Sequence, residues 1–157
     1  MKARYIMLKI TPFLWFDHQA EEAADFYVSV FKQARILSIS RNEEGSVFTV
    51  SFQLDGQEFI ALNGGPAFTF TPAISFFVHC DTQAEVDYYW ENLSKGGEVQ
   101  QCGWLKDRYG ISWQIVPEIL GKLLADPDPV KAERVNQAML GMVKLDIRQL
   151  QAAYDGK

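Results

Sequence analysis

The chain is poor in the residues from which most catalytic and metal centres are built. Among its 157 residues there are two cysteines, Cys80 and Cys102, and two histidines, His18 and His79. The cysteines have no CxxC partner, so a zinc ribbon or thioredoxin-type centre is excluded and both read as packed thiols. No GxGxxG run occurs, and Gly64-Gly65-Pro66 is too short for a phosphate loop. That removes a dinucleotide site and a Rossmann-type methyl-donor site. Ser75 and Ser112 lack a histidine and an acid at a recognisable spacing, which argues against serine hydrolase chemistry. The 15 Lys and Arg are scattered and outnumbered by 20 Asp and Glu, for a net charge of −5. They offer no surface for nucleic acid or an anionic membrane. No apolar run is long enough to span a bilayer. Met1-Lys2-Ala3-Arg4-Tyr5 leads into a short apolar stretch broken by Lys9, too short for a signal segment. A reduced, cytoplasmic location is the expectation.

What the chain does have is apolar and aromatic mass, 48% and 13% of residues, enough for a packed globule. It also repeats itself. Asp17-His18-Gln19-Ala20-Glu21 returns as Asp81-Thr82-Gln83-Ala84-Glu85. Each copy follows an apolar, strand-like run, Phe13 to Phe16 and then Ile74 to Val78. Each precedes a helical pattern rich in aromatics, Phe26-Tyr27 and then Tyr88-Tyr89-Trp90. A repeat that keeps strand before and helix after marks a duplicated module.

The spacing predicts strands over Ile10 to Phe16, Arg35 to Arg41, Val47 to Leu54 and Gln57 to Asn63, with a helix over Ala20 to Gln33. Asp17 is the expected helix cap. Val47 to Leu54 alternates strictly, so its two faces meet different surroundings, and Asp55-Gly56 is a hairpin turn. Gly64-Gly65-Pro66 and Thr71-Pro72 mark the loop between modules. The order then repeats: a strand over Ala73 to Cys80, a helix opened by Thr82 and Glu85 at capping-box spacing, and strands over Glu98 to Cys102, Trp104 to Lys106 and Ile111 to Val116. Helices over Ile119 to Leu124, Val130 to Gly141 and Asp146 to Tyr154 have no counterpart in the first half.

Several stretches resemble a known family. They are Ile10 to Asp17, Ala20 to Tyr27 with Val30-Phe31, Asp55 to Phe59, Asn63 to Pro66, Gly103-Trp104, Lys106 to Gly110 and Ser112 to Pro117. The tail from Asp126 to Asp146 adds to them. Together they are similar to the PhnB-like branch of the glyoxalase/bleomycin-resistance/extradiol-dioxygenase (vicinal oxygen chelate) superfamily. The resemblance implies an α+β fold: two βαβββ modules, over about 8–66 and 72–117, forming a curved mixed sheet around a cleft. A helical tail over about 118–157 completes a single glyoxalase-like domain. It also implies a homodimer, because relatives pair modules across chains and the apolar face of the tail helices needs a partner surface.

In metal-using members of that superfamily, four inward-facing strand positions supply His or Glu to a divalent ion that chelates two substrate oxygens. By the resemblance those positions fall near Thr11, Ala61, Ser75 and Gln114. Alanine cannot bind a metal, and the other three are weak neutral ligands, so no metal ligand and no cofactor is expected. Strand parity then lines the cleft with Phe13, Trp15, Thr49, Gln53, Phe59, Ser75, Phe77 and Gln114, the mixture of aromatic and neutral polar groups that small-molecule pockets use. His79 shares the parity of Ser75 and is the candidate general base. Two function classes stay open. One is a metal-free binder of a small amphipathic ligand. The other is a lyase, isomerase or dioxygenase-type enzyme acting on a small oxygen-rich substrate through His79, or through a metal held partly by Gln114.

Overall fold

The computed structural model describes residues 8–157. The signal-segment reading of the N-terminus falls on residues outside that range. The chain divides between Thr69 and Phe70 into two compact units.

The first unit runs β1 (Phe13–Phe16), α1 (Ala20–Val30), β2 (Ala34–Arg41), β3 (Val47–Leu54) and β4 (Gln57–Asn63). Its sheet order is β1-β4-β3-β2, with β1 parallel to β4 and the other pairs antiparallel. The second unit repeats that plan with β5 (Ser75–Cys80), α2 (Gln83–Ser94), β6 (Glu98–Val99), β7 (Trp104–Lys106) and β8 (Ser112–Pro117), in the order β5-β8-β7-β6. Three helices follow: α3 (Glu118–Leu124), α4 (Pro129–Leu140) and α5 (Ile147–Asp155). The fold is α+β, with the eight strands forming two four-stranded mixed sheets, one per unit.

In each unit the helix covers one sheet face. Ala20, Ala23, Ala24, Tyr27 and Val30 form the buried side of α1. Small alanines let that helix approach closely, and Tyr27 stacks on Phe52, which stacks in turn on Phe59. Val50, Phe52, Leu54, Phe59 and Ala61 complete this core. In the second unit Val86, Trp90 and Leu93 of α2 are buried with Cys80, Leu105, Trp113 and Ile115. Each such large apolar side chain contributes about 1.5–3 kcal/mol of burial.

The two helices begin differently. Thr82 caps α2 by accepting from the Glu85 N–H at 3.2 Å, while the Glu85 carboxylate accepts from the Asp81 N–H at 2.8 Å. Asp17 does not cap α1. The first helical N–H, of Ala20, is instead satisfied by Asn63 Oδ1 at 2.8 Å, reaching from the end of β4. The parallel pairing of β1 with β4 sets Asn63 opposite Phe16 and so beside the helix start.

Strand β6 is shorter than expected because its backbone changes partner. Cys102 and Gly103 turn into the left-handed region, and their N–H groups donate to the carbonyls of Met142 and Val143, each at 2.8 Å. The tail is thereby stitched to the second unit. Gln83 fastens it further, donating to the Leu145 carbonyl at 3.1 Å and accepting from the Ile147 N–H at 2.8 Å. Lys144 meets Asp87 at 2.8 Å, and its hydrogen bond, followed by that of Gln83, holds the Asp87 carboxyl below its ordinary range.

The apolar face of the tail is covered within this unit. Val116, Leu120, Leu123, Val135, Met142, Leu145 and Leu150 form one buried cluster. β8, α3, α4 and α5 cover one another there, while Val130, Leu140 and Val143 of the tail stay exposed. No helix among the described residues is long and apolar enough to cross a membrane.

Candidate functional site

With one face of each sheet under its helix, the other face is the place to look for function. In the first unit, hairpin pairing sets Thr49 opposite Leu62, Ser51 opposite Ile60 and Gln53 opposite Glu58. On β1, Phe13 lies beside Ile60 and Trp15 beside Leu62. This face therefore carries Phe13, Trp15, Thr49, Ser51, Gln53, Ile60 and Leu62. Phe13 is 56% exposed despite its size.

Trp15 is held rigidly. Its indole N–H donates to the Gly65 carbonyl at 2.9 Å, and Phe68 meets it edge-on at 5.0 Å. A Cβ at Gly64 would sit 2.3 Å from the Trp15 ring, so only glycine lets the chain pass there. Gln53 also lines an open groove of about 440 Å³ with Lys32, Gln33, Ala34, Arg35 and Gly56.

In the second unit, Ser75, Phe77 and His79 share the helix-free face with Ser112, Gln114 and Val116, and with Trp104 and Lys106 across β7. Gln114 Nε2 donates to Ser75 Oγ at 2.9 Å. Phe77 is 47% exposed, and its ring lies 4.8 Å from the imidazole of His79. Val116, next to His79, belongs to the cluster made with the tail.

Asp107 fixes this geometry from behind. Almost wholly buried, its carboxylate accepts from the N–H groups of Tyr109 and Ile111 and from the Trp113 indole N–H at 2.8 Å. That clamp closes the turn into β8 and pins Trp113 to the helix side. Alternation then puts Ser112 and Gln114 on the other side.

The structure thus collects Phe13, Trp15, Thr49 and Gln53 on one face in the first unit, and Ser75, Phe77, His79 and Gln114 on one face in the second. Phe59 is the exception and is corrected here. It is 6% exposed and stacked on Phe52 in the helix-side core. Ala61 shares that side. The helix-free positions on β4 are Glu58, Ile60 and Leu62, which sequence parity missed by one residue. The signal was present: a two-residue turn at Asp55-Gly56 sets Gln53 opposite Glu58 and settles the rest. Phe68 and Lys106 were also missed, because neither lies in a stretch whose alternation is readable.

The donor set does not suit a metal of the kind the superfamily uses. Ala61 lies on the wrong face and has no donor, while Ser75 and Gln114 are bonded to each other. No group of three or more His, Cys, Asp or Glu able to hold an ion occurs among the described residues. Burial, aided by the nearby Glu85 charge, pushes the Cys80 thiol up to about 12, so it remains a thiol at neutral pH.

A βαβββ unit that occurs twice in one chain, each time with its own helix on one sheet face, is the plan of the glyoxalase/bleomycin-resistance fold. Residues 8–116 match the family described as 3-demethylubiquinone-9 3-methyltransferase. The PhnB protein of Bacillus cereus, which carries the same methyltransferase name, is 41% identical over 70% of this chain and 99% of its own, with a TM-score of 0.66. The chain belongs to this PhnB-like family. Two more distant structures share the fold. Protein PA1353 from Pseudomonas aeruginosa is 19% identical over 71% of this chain and 98% of its own, with a TM-score of 0.61. The fosfomycin resistance protein FosX from Listeria monocytogenes, solved with Mn(II) and sulfate, is 17% identical over 69% of this chain and 89% of its own, with a TM-score of 0.52. No curated protein matches. The family match ends within β8, so the helical tail lies beyond it.

Proposed function

We propose that this chain is a small-molecule-binding member of the family that works without the usual divalent metal. The observation that carries the reading is the 2.9 Å hydrogen bond between Gln114 and Ser75. Two positions that supply metal ligands in metal-using relatives are here neutral and satisfied by each other. The helix-free face of the first unit offers Phe13 and Trp15 for apolar contact and Thr49 and Gln53 for hydrogen bonds; that of the second offers Phe77 with Ser75 and Gln114, and each composition suits an amphipathic ligand. FosX was solved with Mn(II); among the described residues of this chain, no group of three or more His, Cys, Asp or Glu could hold a metal ion. The methyltransferase name brings with it no glycine-rich methyl-donor loop in this sequence. The setting we infer is a cytoplasmic homodimer. The exposed aromatic rings of Phe13 and Phe77 favour a covering surface.

The neutral fluorescent amine N-phenyl-1-naphthylamine tests the binding surface. Saturable binding is expected. Trp15→Ala should weaken it on the first unit's face and Phe77→Ala on the second's, each by about tenfold, since each removes roughly 1.4 kcal/mol or more of aromatic contact. His79→Ala should leave it within about twofold. Absence of a saturable site, or affinity indifferent to both aromatic substitutions, would overturn the reading.

A further inference from the structure

The helix-free face of the second sheet holds hydrogen-bond donors that are not used within the chain. Ser112 is 1% exposed, and its Oγ is the one buried side-chain polar atom among the described residues without a hydrogen-bond partner. A buried hydroxyl left in that state is destabilising, and native structures rarely tolerate it without a use. Its cross-strand neighbours on the same face are Ser75 on β5 and Lys106 on β7, and Gln114 lies two residues along.

Ser75 and Lys106 add further donors. Ser75 Oγ accepts from Gln114 Nε2, which leaves the serine proton free to be donated elsewhere. Lys106 is half-buried and makes no ion pair among the described residues, where the lysine bridge formed is that of Lys144 with Asp87. An ammonium and two hydroxyl protons therefore share one stretch of sheet, and the carboxylate set opposite Lys106, that of exposed Glu98 on the edge strand, forms no ion pair with it.

From this we infer that the second unit recognises an oxyanion on the ligand: a carboxylate, sulfonate or phosphoryl group. Lys106 supplies the charge, and Ser112 and Ser75 donate hydrogen bonds to its oxygens. The flexible four-carbon stem of Lys106 lets its ammonium reach a group that approaches Ser112 from the same face. Gln114 orients Ser75 for the same task. The inference rests on the small-molecule reading above and names the ligand class: an amphipathic acid.

The test uses a matched pair of dyes. 8-Anilinonaphthalene-1-sulfonate and N-phenyl-1-naphthylamine share an aromatic body and differ by one sulfonate. Wild-type protein should bind the sulfonate about tenfold tighter, as charge-assisted hydrogen bonds warrant. Lys106→Gln should abolish that preference. Ser112→Ala should cut the preference by about threefold. It should also raise the melting temperature, because it deletes an unpartnered buried hydroxyl, whereas a serine needed for packing would lower it. Equal affinities in the wild type, or a preference that survives Lys106→Gln, would overturn the inference and leave the binding reading standing. Failure of the wild type to bind either dye would overturn both.

Discussion

The two units share one plan and close it with different bonds. At the helix start, α2 is capped from within its own segment by Thr82 and Glu85, whereas α1 is capped by Asn63, which arrives from β4 more than forty residues later in the chain. At the last hairpin the contrast reverses in weight. The first unit turns on exposed Asp55 and Gly56, both at positive φ. The second turns on Asp107, a buried carboxylate serving three donors. Duplication keeps the topology, and the side chains that secure it then diverge. The unit whose helix-free face carries the donor-rich row is the one whose last strand is clamped from behind.

The largest effect that should separate the units lies at those turns. Asp107→Ala strands two turn N–H groups and the Trp113 indole N–H inside the protein, at about 1–3 kcal/mol for each lost bond, and should destabilise by about 4 kcal/mol in urea unfolding. Asp55→Ala places alanine at a φ of 48° and should cost about 1 kcal/mol. Similar losses at the two sites would erase the contrast.

The helix starts should differ more finely. Asn63→Ala removes the acceptor for the Ala20 N–H and also the donor to the Val47 carbonyl at 3.1 Å. Its cost should be about 2 kcal/mol, against about 1 kcal/mol for Thr82→Ala. Asp17→Ala, at the position the sequence suggests as a cap, should change stability by less than about 0.5 kcal/mol. A larger loss for Asp17 than for Asn63 would contradict the assignment.

These comparisons also show where the sequence is legible. Strand alternation in β3 and the repeated strand-to-helix motif carry the order of the elements, because both report local periodicity; the sheet arrangement is what the family resemblance adds. The choice of Asp17 over Asn63 as cap fails because a cap supplied across a parallel strand pair leaves no mark near the helix. Phe59 is assigned to the wrong face because a one-residue slip reverses every side chain on a strand. The missing end of β6 reflects the tail, whose carbonyls at Met142 and Val143 take over its hydrogen bonds. That exchange between distant segments has no local signature. At the candidate site parity puts Phe13, Trp15, Gln53, Phe77 and Gln114 on the faces the structure gives them, and Phe59 on the wrong one. The unpartnered Ser112 hydroxyl and its neighbour Lys106 emerge only when the strands are paired.

The proposal that ligand binding needs no divalent metal rests on the hydrogen bond between Ser75 and Gln114. The most direct measurement is the affinity of N-phenyl-1-naphthylamine before and after exhaustive EDTA treatment, together with elemental analysis of the same samples. The account predicts metal well below one per chain and affinities within about twofold. Stoichiometric metal whose removal abolishes binding, and whose return restores it, would contradict the account.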